Sequence, residues 1–147
     1  MIRVLESVTI PATETPRLWI DDSPGYPVVF TAELGSIADE GPGQMAFTSQ
    51  CQLETSPLTG KTVAWIGGGT CLGPRIFAES GCVQTVYEIE PTLAEFCPSG
   101  VAFVPGDWRA TISGKFDVVI YDLGGDVPYD ALAAHLNNGG KILPAVV

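Results

Sequence analysis

Thr62-Val63-Ala64-Trp65-Ile66-Gly67-Gly68-Gly69-Thr70-Cys71-Leu72-Gly73 is the stretch that decides the fold. Thr62–Ile66 is a short, continuously apolar run, the pattern of a strand buried on both faces of a parallel sheet. Three glycines follow, where the backbone must turn sharply and where a ligand can approach closely. A helix over 72–80 comes next, stopped by Gly81. A strand is then expected over 83–89, a helix over 91–96 with Pro91 in its first turn and Pro98 ending it, and a strand over 101–104. A further apolar strand is expected over 116–121, and a helix over 129–136 that Asn137-Asn138-Gly139-Gly140 ends. A fifth strand begins at Lys141. Strands alternating with helices predict a parallel α/β sheet.

Upstream of this unit the composition changes near Pro57. Residues 1–58 are rich in β-formers, proline and glycine, with short strands expected over 4–10, 17–20, 28–32 and 45–48. Asp22-Ser23-Pro24-Gly25 is a turn signal, and Asp39-Glu40-Gly41-Pro42-Gly43 reads as a second turn or loop. The reading is therefore a small β-rich appendage over 1–58 and a nucleotide-binding α/β domain over 59–147.

The chain carries 147 residues with a formal charge of −10 and 7 lysines and arginines. So few cations argue against a nucleic-acid partner, because phosphate binding depends on them. No run of about 18 apolar residues is present, so no membrane span is expected. A glutamate at position 6 interrupts any signal-peptide pattern, so a cytoplasmic setting is expected. The four cysteines, at 51, 71, 82 and 97, form no C-x-x-C pair, and the chain has one histidine. No metal site is expected, and the thiols read as reduced.

Glu88 ends the second strand of the α/β unit, 21 residues after Gly67 (88 − 67). A carboxylate there can accept hydrogen bonds from two ribose hydroxyls at once. Glu90 shares the same strand side and competes for that role. Residue 72 is Leu where a dinucleotide G-x-G-x-x-G needs its third glycine, and the Walker lysine is missing. A nucleoside ligand without phosphates fits the loop better. Asp107, in Gly106-Asp107-Trp108, can accept from an adenine amino group while Trp108 adds stacking. Its competing reading is a helix N-cap. Asp122 ends the fourth strand, where ligands of open α/β sheets bind, and Asp126 follows it.

Taken together, these residues resemble the spermidine synthase-like branch of the class I S-adenosylmethionine-dependent methyltransferase fold. Ile66-Gly67-Gly68-Gly69 is similar to its I-G-G-G-D-G, and Val86-Tyr87-Glu88-Ile89-Glu90-Pro91 to its V-V-E-I-D-P. Gly106-Asp107 matches its G-D-A, and Phe116-Asp117-Val118-Val119-Ile120-Tyr121-Asp122 matches its Y-D-V-I-x-x-D. Leu136-Asn137-Asn138-Gly139-Gly140 is like its L-x-P-G-G. The resemblance covers roughly residues 57–147. It implies a Rossmann-like parallel sheet cut off after strand five. It also implies a cofactor site of Gly67, Gly68, Gly69, Thr70, Glu88, Ile89, Asp107 and Trp108, with Asp122 and Asp126 as catalytic acids. The family's glycine-motif aspartate is Thr70 here, its Y-H-E is Ser49-Gln50-Cys51, and its D-S-S-D is Asp122-Leu123-Gly124-Gly125-Asp126.

The activity implied is transfer from S-adenosylmethionine, or its decarboxylated form, to a small amine-bearing molecule. Methyl and aminopropyl transfer both remain open. Two alternatives stand beside it: cleavage or cyclisation of the sulfonium ligand without an acceptor, and a non-catalytic nucleoside-binding subunit. A fifth strand with no further strand beside it is an apolar edge that a homo-oligomer would cover.

Overall fold

Four antiparallel strands precede the glycine loop in the computed structural model, which describes residues 1–9 and 12–145. They are β1 (Ile2–Thr9), β2 (Glu14–Asp21), β3 (Val28–Thr31) and β4 (Gly35–Asp39), hydrogen-bonded in that order. The expected turn between β2 and β3 is present: Gly25 has φ 97° and its N–H donates to the Asp22 carbonyl at 3.0 Å. Leu18 and Val29 are fully buried, while Trp19 stacks on Phe30 across the β2–β3 pair at 5.8 Å between ring centroids. Arg17 ties β2 to β1 through two 2.8 Å hydrogen bonds to the Glu6 carboxylate.

The chain divides into two compact units, residues 1–46 and 47–147. That division falls inside α1 (Pro42–Thr55), upstream of the composition change near Pro57. Residues 45–48, expected as a strand, belong to this helix. Their correction has a plain cause: the buried positions are Thr48, Cys51 and Thr55, spaced for one helix face but filled by small or polar residues. A search for large apolar side chains misses such a stripe. Asp39, expected in a turn, closes β4, and the helix starts three residues later at Pro42. Ile10, placed at the end of the first expected strand, lies outside the described residues, as do Val146 and Val147 of the expected fifth strand.

The second unit is a five-stranded parallel sheet. Its strands are β5 (Thr62–Ile66), β6 (Val83–Glu88), β7 (Ala102–Pro105), β8 (Phe116–Tyr121) and β9 (Leu136–Leu143), in the order β7-β6-β5-β8-β9. Between them lie α2 (Leu72–Phe77), α3 (Trp108–Thr111) and α4 (Tyr129–Ala133). The helix expected over 72–80 continues past Phe77 as a 3-10 turn, and Pro91–Phe96 is 3-10 rather than α. The helix expected over 129–136 ends at Ala133. Leu136 already pairs with Phe116, and Asn137-Asn138-Gly139-Gly140 forms an irregularity inside β9 rather than a turn before it. Gly139, at φ 75°, accommodates that distortion, and Asn137 is held there by a 3.0 Å hydrogen bond to Asp117.

Both sheet faces are buried, which is why β5 and β8 read as uninterrupted apolar runs. Val63, Trp65, Val86, Val118 and Ile120 pack on one face with Phe77; Ala64, Ile66, Tyr87, Val119 and Tyr121 pack on the other with Trp108 and Leu132. Trp65 is the largest side chain of the first layer. It meets Phe77 edge-on at 4.9 Å, and its indole N–H donates to Gln84 Oε1 at 2.7 Å. Gln84 donates in turn to the Pro74 carbonyl at the start of α2. Gly73 brings α2 against this ring so closely that a Cβ there would overlap the Trp65 benzo edge. The close helix–strand approach of dinucleotide-binding loops is therefore made one residue later than the G-x-G-x-x-G spacing requires.

Asp117 fastens the opposite end of the sheet. Its Oδ2 accepts from the Thr62 N–H at 2.9 Å and from the Thr62 hydroxyl, and its Oδ1 accepts from Asn137. The Thr62 N–H bond foremost, then Asn137, holds this carboxyl below the ordinary aspartate range. Among the described residues, no helix is long and apolar enough to cross a membrane.

Replacing Gln84 by Leu strands the Trp65 N–H in the core. Chemical unfolding should show a loss of about 2 kcal/mol, the cost of one buried unpaired donor. Asp117→Asn tests the sheet end. Because the folded carboxyl titrates below its unfolded value of about 3.9, its stabilisation is present above that pH and is lost as pH falls through the folded value. The stability difference between wild type and Asp117→Asn should be constant near neutrality and disappear in strongly acidic buffer; a difference unchanged down to the lowest pH at which the chain folds would contradict this.

Candidate functional site

Three strand ends and the glycine loop meet at the carboxyl edge of the parallel sheet. The Gly67 N–H donates to the Tyr87 carbonyl at 2.8 Å, the Gly106 N–H to the Glu88 carbonyl at 3.0 Å, and the Asp122 N–H to the Ile66 carbonyl at 2.9 Å. These bonds continue the ladders of β5, β6, β7 and β8 by one residue past their ends, which fixes the exits of all four strands relative to each other. Gly67 leaves β5 at φ 91°, and a Cβ on it would sit 2.5 Å from Leu123 Cδ2. The first glycine is thus required both by its backbone angle and by the segment after β8 lying against it. Gly68 is required by packing, since a Cβ there would lie 2.5 Å from Val86 Cγ1.

Glu88 is the centre of this edge. It is 7% exposed, and its Oε1 accepts from the N–H groups of Gly68 at 3.1 Å and Gly69 at 2.9 Å. Its Oε2 accepts from the Glu90 N–H at 2.9 Å. Charge-assisted bonds of this kind are roughly twice as strong as neutral ones. The carboxylate therefore shapes the loop as well as facing the sheet edge. A carboxylate offers about four lone-pair positions, so these three bonds leave acceptor capacity for a ligand hydroxyl.

A recess of about 150 Å³ opens beside the loop, lined by Gly67, Tyr87, Ile89, Gly106, Asp107, Trp108, Arg109 and Leu123. Ile89 is 67% exposed and Leu123 is 53% exposed, so two aliphatic side chains stand in solvent at the rim of the recess. Trp108 is 6% exposed and edge-on to Tyr121 at 6.4 Å, with the Arg109 guanidinium 4.7 Å from its ring centroid. Its indole N–H is the buried side-chain polar atom without a partner among the described residues. Asp107 takes the N-cap position of α3, accepting from the Arg109 N–H at 3.0 Å through Oδ1. The capping role weighed for it in the sequence is thus present, and its second oxygen stays available at the recess wall.

The structure gathers Gly67, Ile89, Asp107 and Trp108 around one recess, with Gly68, Gly69 and Glu88 forming the loop behind it. Thr70 is buried, and its carbonyl accepts from Arg75 at 3.4 Å. Asp122 is half-buried at the end of β8, and Asp126 is exposed four residues on; neither lines the recess. Sequence reasoning passed over Leu123, Tyr87 and Arg109 as site residues. The signal that could have found Leu123 is an apolar residue immediately after a strand-ending aspartate, at a position that the parallel sheet leaves uncovered.

The donor set suits an adenosyl ligand. A carboxylate with free acceptor capacity, a free aspartate oxygen, an orphaned indole N–H and two exposed aliphatic walls match a ribose and a flat heteroaromatic ring.

No protein-family model matches the chain, and no curated protein matches it by sequence. Solved structures do match. A methyltransferase from Thiobacillus denitrificans, solved with S-adenosyl-L-homocysteine, shares 21% identity at a TM-score of 0.57, covering 69% of this chain and 47% of that one. A protein-L-isoaspartate O-methyltransferase shares 17% identity at 0.63, covering 78% and 39%. A glycopeptide N-methyltransferase, solved with S-adenosyl-L-methionine, shares 19% identity at 0.54, covering 65% and 50%. The chain spans half the length, or less, of these structures. The likeness establishes the fold, a Rossmann-like five-stranded parallel sheet of the kind found in S-adenosylmethionine-dependent methyltransferases, preceded here by an antiparallel four-stranded sheet.

Proposed function

We propose that the second unit binds S-adenosylmethionine at the carboxyl ends of β5, β6 and β7 and transfers a group from it to a small, amine-bearing molecule. The observation that carries this reading is Glu88, a carboxylate fixed at the end of β6 by the loop amides of Gly68 and Gly69, beside a recess with no phosphate-binding lysine. In this reading the acceptor position that the loop bonds leave open on Glu88 holds a ribose hydroxyl. Ile89 and Leu123 cover the faces of the adenine ring, Asp107 accepts from its amino group, and Gly67 and Thr70 border the rest of the nucleoside. The bound sulfonium supplies an electrophilic carbon, so the protein mainly aligns an acceptor with it and excludes water. Asp122, and Asp126 beyond it, then orient the acceptor amine and take up its proton or charge. The acidic surface, with a net charge of −10, favours a cationic acceptor over an anionic one.

The spermidine synthase-like resemblance keeps decarboxylated S-adenosylmethionine and aminopropyl transfer within this proposal. Thr70, where that branch has an acid that helps bind the amine end of the nucleoside, favours two other readings of the same site. They are cleavage or cyclisation of the sulfonium ligand without an acceptor, and nucleoside binding without chemistry. The setting proposed is cytoplasmic, where the four free thiols stay reduced. A homo-oligomer is proposed because, among the described residues, β9 pairs with β8 on one side and with no strand on the other.

Calorimetry with S-adenosylmethionine should give saturable binding, weakened tenfold or more in Glu88→Gln, which keeps the shape and removes the charge from the ribose bonds. Equal affinity in both proteins would remove Glu88 from the site. Product analysis separates the readings: S-adenosylhomocysteine or methylthioadenosine formed only with an amine present supports transfer, methylthioadenosine without acceptor supports cleavage, and binding without turnover supports the third. Light scattering should return a multiple of the 15.5 kDa chain mass; a monomer at every concentration would rule the oligomer out.

A further inference from the structure

The chain's asparagines are adjacent, at 137 and 138, and the second precedes a glycine. The structure puts the two in different surroundings. Leu136 pairs with Phe116 and Lys141 with Val118, so residues 137–140 of β9 stand against Asp117 alone and bulge from the ladder. Asn137 is anchored in that bulge, because its side-chain amide donates to Asp117 Oδ1 at 3.0 Å. Asn138 is exposed, and its side chain has no hydrogen-bond partner among the described residues. Gly139 is exposed too, at φ 75°, and a Cβ built on it would meet no atom within 4 Å. Gly140 closes the bulge, since a Cβ there would lie 2.9 Å from the Asn137 carbonyl oxygen and 3.1 Å from that of Asp117. The bulge is thus held at 137 and 140 and open to water at 138 and 139.

We propose that Asn138 is a site of spontaneous modification, where the chain converts its own side-chain amide to an acid through a cyclic imide with Gly139. The Gly139 peptide nitrogen gives up its proton to hydroxide and attacks the Asn138 side-chain carbonyl carbon. The new C–N bond closes a succinimide ring, the bond to the amide nitrogen breaks, and ammonia leaves with a proton taken from water. Water then adds to one of the ring carbonyls, and the C–N bond at that carbonyl opens. Addition at the side-chain carbonyl leaves aspartate. Addition at the main-chain carbonyl leaves isoaspartate, in which the backbone runs through the former side chain. One water is consumed, one ammonia is released and nothing is oxidised or reduced. Glycine suits the attack because no side chain crowds its nitrogen. Asn137 is disfavoured twice: its amide is tied to Asp117, and the residue after it carries a side chain. No other Asn-Gly or Asp-Gly pair occurs in the chain. Either product sets a carboxylate next to Asn137, whose amide Asp117 accepts, and isoaspartate also lengthens the backbone ahead of the paired residues Lys141, Ile142 and Leu143. The modification therefore acts on the attachment of β9 to β8.

This inference stands apart from the nucleoside reading. It is tested by incubating the full chain in mildly alkaline buffer, both folded and in denaturant, then digesting and mapping it under acidic conditions. The protein is kept dilute, because a copy paired on β9 would shield the site. The expected result is an acid at 138, part aspartate and part isoaspartate by fragmentation, that accumulates in the folded chain as well as the denatured one and faster as pH rises. Asn137 should stay an amide in the folded chain. Asn138→Gln should abolish the product while leaving the fold intact by circular dichroism. An acid at 138 in the denatured chain alone, or conversion of Asn137 as fast as Asn138 in the folded chain, would overturn the proposal.

Discussion

The Glu88 carboxylate bonded to the Gly68 and Gly69 amides is the constraint on which the rest of the site depends. Three glycines in a row would otherwise be costly to order, because glycine loses more backbone freedom on folding than any other residue. The carboxylate offsets that cost with bonds to its charged oxygens, and it sits where the end of β6 delivers it. The strand-end bonds from Gly67, Gly106 and Asp122 then lock the neighbouring exits to the same frame. A recess bounded by backbone so fixed is preorganised, which reduces what a ligand must pay in ordering the protein.

Beneath the loop, packing and polar satisfaction reinforce each other. Trp65 fills the layer between the sheet and α2, Gly73 permits the close approach, and Gln84 satisfies the indole N–H while bonding the first turn of α2. One buried polar side chain therefore joins strand β5, strand β6 and helix α2. Trp108 on the other face contrasts with it. Its N–H has no protein partner among the described residues, and it borders the recess rather than the helix layer. The two tryptophans contrast a sheet face satisfied from within with one that borders the recess and carries an unpartnered donor among the described residues.

Likeness in fold carries less about chemistry than about where chemistry is located. Solved structures that match the chain share 16–23% identity with it, over 39–62% of their own length, so they carry the fold and neither a ligand nor an acceptor. The proposed acceptor comes from this chain's own charges, in particular from acids at 122 and 126 that stand apart from the recess itself.

The parallel sheet, the glycine loop and the place of Glu88 at the end of a strand were legible in the sequence because each is local. An apolar run, a glycine triplet and a strand-ending acid at a set distance are written within about 30 residues, the length of one βαβ unit. Helix α1 was not legible, because its buried face consists of Thr48, Cys51 and Thr55, of which only Cys51 joins the core cluster of Trp65 and Phe77. The start of β9 at Leu136 was hidden for a similar reason: Asn137 and Gly139 read as a helix stop until Asp117, twenty residues earlier, accepts the Asn137 amide and draws the segment into the sheet. Periodicity and turn chemistry act over a few residues and can be read along the chain, whereas a partner supplied by a distant segment exists only once the chain has folded.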